Sequence, residues 1–159
     1  MLKTSKEILI HFSCSYCKKW WSIGDAPKRN NWFCPWCGKK QEVKKWTLPF
    51  RAQDKNIFEA IQKGEKSIET RAGGGKYEGI KDGDYLIFSC GGKKFEREII
   101  KVTKFKTIYA LVKKYPVKSI NPMVKNLAEL TKMYESFPGY KERIKRDGIL
   151  AFELKRPVK

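Results

Sequence analysis

Hydrophobic residues recur at helical spacing near the middle of the chain and predict a short helix there. Ile57, Phe58 and Ile61 fall on one helical face, Asp54 is placed to cap the first turn, and Gly64 is placed to end the helix. The cysteine pairs of the chain stop before this segment. The change of pattern therefore predicts two units, residues 1–46 and residues 47–159.

The rest of residues 47–159 alternates between strand-like and helix-like patterns. Strands are predicted in SIETR (67–71), YLIFSC (85–90), KKFEREIIKVTKF (93–105) and ILAFELK (149–155). Helices are predicted in TIYALVKKY (107–115) and NLAELTKMYES (126–136), and AGGGKYEGIKDGD (72–84) is predicted to be a long glycine-rich connection. This mixture predicts an α+β domain built on a small, strongly bent sheet or barrel.

Four of the five cysteines form two C-x-x-C pairs, Cys14 with Cys17 and Cys34 with Cys37. Sixteen residues separate the pairs, which is the spacing of a zinc ribbon. Each pair brings two thiolates together from one tight turn, and two turns complete a tetrahedral sulfur site that suits Zn²⁺. We therefore predict one structural zinc ion, because four thiolates leave no coordination position for water. Between the pairs, KKWWSIGDAPKRNNWF (18–33) predicts two strands joined by a turn, which would make a ribbon hairpin.

Two disulfides or a redox dithiol are the alternative interpretations of these cysteines. A cytosolic compartment disfavours disulfides, and a redox C-x-x-C motif normally accompanies a βαβ pattern. His11 is the single histidine of the chain and could compete as a ligand. With four cysteines available, we expect it to be a strand residue beside the metal site.

The formal net charge of +18, from 35 basic and 17 acidic residues, favours a polyanionic partner, and nucleic acid is the partner we expect. Residues 1–46 carry ten basic and three acidic residues, a charge of +7, together with several tryptophans. Those tryptophans either stack on bases or cover the metal turns, since so short a module cannot fill a core. The alternative origin of the charge is a generally lysine-rich surface, as in thermophiles.

No run of the sequence reaches the roughly 18 consecutive apolar residues that a membrane span requires. The first residues, MLKTSKEILIHFSC, also lack the apolar core and small-residue cleavage site of a secretory signal. We therefore expect a cytoplasmic protein without a membrane partner.

The segment GEKSIETR (64–71) matches the pattern G-x-K-x-x-E-x-R, and the chain here resembles the ASCH domain, a relative of the PUA-like RNA-binding barrels. The resemblance extends to IKDGDYLIF (80–88), VTKFKTIYALVKKYPVKSI (102–120) and MYESFPGYKERIKRDGILAFELK (133–155), and it covers roughly residues 47 to 156. It implies a small PUA-like β-barrel with helices and a cleft beside the helix that precedes the motif. Members are associated with RNA binding, transcription coactivation and, in some branches, catalysis. RNA or another single strand is thus expected in preference to duplex DNA.

An extended strand at residues 67–71 places Glu69 and Arg71 on one face, with Lys66 at the turn before it. Lys66 and Arg71 can then meet phosphate oxygens, while Glu69 accepts a hydrogen bond from an exocyclic amine. Lys76, in the glycine-rich loop, is the fourth candidate nucleic-acid-binding residue. The alternative is a surface Glu-Arg pair of little energetic value on an edge strand.

Two other classes of function stay open. ASCH members that resemble acetylcytidine amidohydrolases use a lysine at the position of Lys66 but a threonine where this chain has Glu69. Glu69 also favours a charged ammonium, which works against Lys66 as a base, although a ribonuclease using both residues is another possibility. The third class is a protein-interaction module of the transcription-coactivator type that docks through the zinc ribbon.

Overall fold

The first unit consists of two hairpins, each of which encloses one cysteine pair. The computed structural model describes residues 6–26 and 31–157, and the first unit ends at Val43. Strand β1 (Leu9–Ser13) pairs with β2 (Trp20–Gly24), and β3 (Asn31–Phe33) pairs with β4 (Lys40–Glu42). Both pairs are antiparallel, so each C-x-x-C segment lies at the tip of its own hairpin.

The prediction that the two strands between the cysteine pairs form one hairpin with each other is wrong. Both predicted strands exist, as β2 and β3, but each pairs across its own cysteine turn. The physical reason lies in the turns, because the amide of Cys14 donates to the Lys19 carbonyl (2.9 Å) and the amide of Cys34 donates to the Lys39 carbonyl (3.0 Å). Each cysteine turn therefore starts a separate antiparallel pair of strands. Residues 27–30 of the predicted connecting turn lie outside the described residues.

A curled five-stranded sheet forms the frame of the second unit, which begins at Lys44. Its strands are β5 (Lys45–Pro49), β6 (Ile68–Ala72), β7 (Tyr85–Cys90), β8 (Lys93–Phe105) and β9 (Ile149–Leu154), and their order across the sheet is β5-β7-β8-β9-β6. The β5–β7 pair is parallel, and the other pairs are antiparallel. The predicted strands β6 to β9 are confirmed, whereas β5 was not predicted.

Strand β8 bends the sheet because it pairs with two neighbours in succession. Residues 93–98 pair with β7 and residues 99–105 pair with β9, with a register shift between Ile99 and Lys101. An irregularity of this kind bends a strand and increases its twist. The result is a half-barrel, which agrees with the predicted strongly bent sheet.

The described part of the chain contains five α-helices: α1 (Lys55–Lys63), α2 (Ile108–Lys114), α3 (Val117–Ile120), α4 (Leu127–Glu135) and α5 (Tyr140–Asp147). Helix α1 ends as predicted at Gly64, whose φ of +81° lies in the left-handed region. Asp54 occupies the N-cap position of α1, but the prediction that its side chain caps the helix is wrong. Its carboxylate accepts from Arg51 Nε at 2.8 Å and makes no capping hydrogen bond, because a 3-10 helix (Ala52–Asp54) precedes α1 and brings Arg51 within reach.

The curled sheet separates two apolar clusters. Alternate residues of β9 belong to different clusters, since successive side chains of a strand point to opposite faces. One cluster packs α1 on the sheet and includes Leu48, Phe58, Ile61, Leu86, Phe88, Leu150 and Phe152. The other packs α2 to α5 on the opposite face and includes Ile68, Ala72, Leu111, Ile120, Leu130, Tyr134, Ile149 and Ala151. Within the described ranges, no helix is long and apolar enough to cross a bilayer.

Gly148, at the end of α5, provides a test of this packing. It has a φ of +75°, and a Cβ atom there would overlap the carbonyl oxygen of Phe105. Gly139 has a similar φ of +68° with open space around it. We expect Gly139→Ala to lower the free energy of unfolding by about 1 to 2 kcal/mol through backbone strain alone. Gly148→Ala should cost roughly 1 to 3 kcal/mol more, because overpacking adds to the strain.

Denaturant unfolding of the two variants and the parent protein measures this difference. An equal loss in both variants would contradict the close packing of Gly148 against β8.

Candidate functional site

The four cysteine sulfur atoms of the first unit form one cluster. All four Sγ atoms lie within 4.8 Å of one another, and both the Cys14–Cys37 and the Cys17–Cys34 distances are 3.7 Å. A tetrahedral ion with bonds of about 2.3 Å places its sulfur ligands roughly 3.8 Å apart. The predicted metal ligands are therefore brought together, close enough to hold a metal ion.

Backbone amides in the two turns lie close to the sulfur atoms of Cys14 and Cys34. The amides of Tyr16 and Cys17 lie 3.3 and 3.4 Å from Cys14 Sγ, and the amide of Trp36 lies 3.4 Å from Cys34 Sγ. Burial alone would raise the pKa of Cys14, yet the amides of Cys17 and Tyr16 and the neighbouring thiols lower the pKa of Cys14 to about 6. Cys37 shifts the other way, because the Lys39 amide, which lowers the pKa, is outweighed by burial and the neighbouring thiols, which raise the pKa of Cys37 to about 11. Hydrogen bonds to a thiolate favour the form that binds metal.

The aromatic residues of the first unit divide into packed and exposed side chains. Trp21 and Trp32 are half-buried against Phe12, with ring centroids 5.3 and 4.8 Å away. Trp20 and Trp36 are exposed. His11 lies in β1, where Nδ1 is 2.6 Å from Ser22 Oγ, so its partner is a hydroxyl rather than the cysteine cluster.

The second unit contains a cleft of about 490 Å³ along β6, the last strand of the sheet order. In the β6–β9 register, Glu69 lies opposite Phe152 and Arg71 opposite Leu150, whereas Ile68 and Ala72 join the cluster beneath α2 to α5. The cleft is lined by Pro49, Phe50, Arg51, Asp54, Ile57, Lys66, Glu69, Thr70, Arg71, Tyr77, Ile120, Asn121, Met133, Tyr134, Phe137, Pro138, Tyr140 and Arg143.

Glu69 joins two cations inside this cleft. Its Oε1 lies 2.8 Å from Arg71 Nη1, and its Oε2 lies 3.3 Å from Lys66 Nζ. Glu69 is only 2% exposed and the Arg71 side chain is 21% exposed, so this is not the surface pair that the alternative interpretation required. Oε2 accepts no hydrogen bond from the described part of the chain, because the contact with Lys66 lacks hydrogen-bonding geometry.

Lys66 is held by main-chain acceptors as well as by Glu69. Its Nζ donates to the carbonyls of Ile68 (2.6 Å) and Ile120 (2.5 Å). Burial lowers the pKa of Lys66 from its ordinary value, and the Glu69 carboxylate partly offsets that shift. Burial alone would also lower the pKa of Arg71, but Glu69 raises it above its ordinary value. The three residues therefore act as one electrostatic unit with more positive than negative charge.

Aromatic rings form much of the remaining wall of the cleft. The Arg71 guanidinium lies 5.8 Å from the ring centres of both Phe50 and Tyr77. Tyr134 also lines the cleft; its hydroxyl lies 2.6 Å from Thr70 Oγ1, and burial raises the pKa of Tyr134. A planar cation between aromatic rings has a restricted set of positions, so the remaining donors of Arg71 are oriented in advance.

Arg143 is a cleft residue that the sequence analysis missed. It lies on α5, and its Nη2 atom donates to the carbonyls of Ala72 and Gly73, both at 3.2 Å. These bonds tie α5 to the glycine-rich loop after β6. No local pattern marks Arg143, because its partners lie about 70 residues earlier in the chain.

Three of the four predicted ligand-binding residues of the second unit lie together. Lys66, Glu69 and Arg71 line the cleft, whereas Lys76 does not. Lys76 lies in a 3-10 helix (Gly75–Gly79), where its Nζ is 4.9 Å from the ring centre of Tyr77. Lys76 is exposed, and its neighbour Tyr77 is the loop residue that faces the cleft.

No protein-family profile matches the sequence, and no curated protein matches it either. Among solved structures, the crystal structure of the hypothetical protein PH0355 is similar, with 29% identity and a TM-score of 0.61 over 72% of this chain and 99% of that chain. The solution NMR structure of protein PF0455 from Pyrococcus furiosus has 23% identity and a TM-score of 0.57, over 72% of this chain and 98% of that chain. The second likeness shows the fold alone, and neither protein's name states a function.

Glu69 is expected to stabilise the second unit because it neutralises buried positive charge. Removing one partner of a buried ion pair typically costs 3 to 5 kcal/mol, so Glu69→Gln should lower the free energy of unfolding by roughly 3 kcal/mol. Asp54 pairs with Arg51 at 2.8 Å near the surface, and Asp54→Asn should cost no more than about 1 kcal/mol.

Denaturant unfolding of the two variants at neutral pH checks this difference. Equal losses, or no loss from Glu69→Gln, would mean that Glu69 does not neutralise the two cations.

Proposed function

We propose that this protein binds nucleic acid, and RNA or another single strand in preference to duplex DNA. Its second unit is proposed to be an ASCH-type, PUA-like domain whose cleft receives one unpaired nucleotide. The observation that carries this proposal is the excess of positive charge in the cleft. Arg51 is paired with Asp54, and the cleft contains three further cations, Lys66, Arg71 and Arg143, but one further carboxylate, that of Glu69.

The dimensions and chemistry of the cleft support a nucleotide as its ligand. Its volume of about 490 Å³ lies in the range of small-molecule sites, roughly 300 to 1,000 Å³. Aromatic side chains offer stacking surfaces for a base, and Arg71 offers a fork of donors for phosphate. The helix α1, which precedes the motif, contributes Ile57 to the wall, as the resemblance to ASCH domains implies.

The roles of the two cations differ. Lys66 Nζ already donates to two carbonyls and lies beside Glu69, so its function is to hold Glu69 rather than to contact phosphate. Arg71 is more exposed and is the cation that meets the ligand.

An amidohydrolase is the second candidate, because burial lowers the pKa of Lys66 as a general base requires. The two carbonyl acceptors of Nζ and the nearby Glu69 carboxylate nevertheless favour the charged ammonium, so we prefer nucleotide binding to amidohydrolase activity.

The first unit is proposed to be a zinc ribbon. Four thiolates at tetrahedral spacing suit Zn²⁺, and a module with so few buried residues depends on its metal for stability. Cys14, Cys17, Cys34 and Cys37 would hold the ion, whose role there is structural. An alternative role for the surface of this ribbon is to bind a protein partner instead of nucleic acid.

Metal analysis of the purified protein should give one zinc per chain. Chelation should loosen the first unit selectively, because the second unit has its own apolar clusters. Four of the five tryptophans lie in the first unit, so tryptophan fluorescence should change on chelation while the far-UV signal of the helices persists. Detection of two disulfides, or of a metal-free native protein, contradicts the ribbon.

Two substitutions separate recognition in the cleft from the general positive field. Arg71→Lys keeps the charge but loses the planar fork, and Glu69→Gln removes a negative charge. A general field predicts no change for the first and slightly tighter binding for the second. A recognition site predicts that both variants bind a single-stranded RNA more weakly, by about 1 to 3 kcal/mol.

Fluorescence anisotropy with labelled RNA at fixed salt measures these affinities, under conditions in which each variant is folded. Lys94→Ala, a change on the exposed surface of β8, is the matched control and should lower affinity only slightly. If both cleft variants bind the RNA as tightly as the parent or more tightly, the cleft is not a recognition site. If the parent binds duplex DNA more tightly than RNA at the same salt concentration, the proposed preference for RNA is wrong. Turnover of an acylated nucleoside, abolished by Lys66→Met, would instead assign the cleft to the amidohydrolase.

A further inference from the structure

The two cysteine turns of the first unit repeat each other's geometry at an offset of 20 residues. The amides of Lys18 and Gly38 donate to the carbonyls of Cys14 and Cys34 at 3.1 and 2.9 Å. Lys18 and Gly38 also share a left-handed conformation, with φ of +62° and +67°. The two turns are therefore equivalent, and equivalent positions can be compared directly.

The third position of each C-x-x-C turn holds an exposed aromatic residue. These residues are Tyr16, which is 51% exposed, and Trp36, which is 59% exposed. The backbone amide of each donates to the first sulfur of its own turn, and Trp36 Nε1 also donates to the Trp20 carbonyl at 3.1 Å. Both rings are thus presented to solvent from a rigid backbone rather than from a flexible loop.

A lysine of the opposite turn lies over each of these rings. Lys39 Nζ is 4.7 Å from the ring centre of Tyr16, and Lys19 Nζ is 5.1 Å from the ring centre of Trp36. Lys19 and Lys39 are themselves equivalent positions of the two turns. The structure therefore contains two equivalent aromatic–lysine pairs, Tyr16–Lys39 and Trp36–Lys19.

We propose that these two aromatic–lysine pairs form a nucleic-acid-binding surface separate from the cleft, in which each ring stacks on an unpaired base and each lysine contacts a phosphate. Stacking of a base on an exposed ring is worth more than an exposed cation–π contact, so a base can replace the lysine over the ring. The displaced ammonium keeps its charge and lies close to the backbone of the same strand.

The charge of the first unit selects a polyanion as the occupant. Residues 1–43 carry eight basic and three acidic residues, a net charge of +5, and four thiolates around a divalent ion would lower that charge by two. A single strand is preferred over a duplex, since the bases of a duplex are already stacked on one another. The inference depends on the proposed function for the class of ligand, but it concerns different residues in a different unit.

The test uses the full chain and labelled single-stranded RNA, with anisotropy as the readout at fixed salt. Tyr16→Ala and Trp36→Ala should each weaken binding by about fivefold or more, and Trp36→Phe should retain most of the affinity because it keeps a ring. Tyr109→Ala is the matched control, since Tyr109 is 58% exposed with Lys113 Nζ 4.8 Å from its ring centre in the second unit. It should bind as the parent does.

An abasic strand of the same length separates stacking from charge. It keeps every phosphate, so the parent protein should bind it more weakly, and the alanine variants should lose little further affinity for it. Equal binding of the abasic strand and the RNA by the parent, or parental RNA binding by both alanine variants, overturns the surface.

Tryptophan fluorescence is a second readout that does not require a stable variant. Base stacking on Trp36 should quench the parent protein's emission, and the absence of quenching by bound RNA counts against the proposal. Metal content shows that each variant keeps its first unit folded. If Arg71→Lys weakens RNA binding while the aromatic variants bind RNA as the parent does, the cleft is the binding site and the proposed surface is wrong. If Trp36→Ala abolishes binding of a protein partner but leaves RNA binding unchanged, the surface binds protein instead of nucleic acid.

Discussion

The burial of the Glu69 carboxylate between two cations is the interaction on which the cleft depends. A carboxylate that is 2% exposed requires compensation, and it receives that compensation from Arg71 at 2.8 Å and from Lys66 at 3.3 Å. Lys66 in turn requires acceptors, which the carbonyls of Ile68 and Ile120 supply. These contacts link β6 to α3, and they leave positive charge in excess beside apolar and aromatic walls.

The topology of the sheet places this charge at an accessible position. Strand β6 is the last in the order β5-β7-β8-β9-β6, so its outer side is bordered by helices and loops rather than by another strand. Its alternate residues serve different purposes. Ile68 and Ala72 anchor the strand in one apolar cluster, while Glu69 and Arg71 lie on the other face. Arg143 then joins α5 to the start of the glycine-rich loop through main-chain carbonyls.

The first unit follows a different physical constraint. Few side chains among its described residues are buried, and two equivalent turns bring four sulfur atoms together. Such a module does not need aromatic residues for a large core, and only Trp21 and Trp32 pack closely on Phe12. Tyr16 and Trp36 can therefore lie on the outside of the turns, where lysines cover them. The rings of Tyr16 and Trp36 are therefore exposed, whereas the four sulfur atoms lie together.

The sequence by itself determined the local elements of this protein. Helical spacing and Gly64 predicted α1 and its end, alternation predicted β6 to β9, and the two C-x-x-C pairs predicted the sulfur cluster, because each of these signals depends on neighbouring residues. Only the tertiary structure decided the pairing of β2 and β3, the parallel strand β5, the burial of Glu69 and the presence of Tyr134 and Arg143 in the cleft. Those features join residues that are far apart in the chain. A local example is Asp54, whose carboxylate pairs with Arg51 instead of capping α1 as the sequence pattern predicted. A local pattern states what a segment can form, whereas its partners depend on which distant segments the sheet brings beside it.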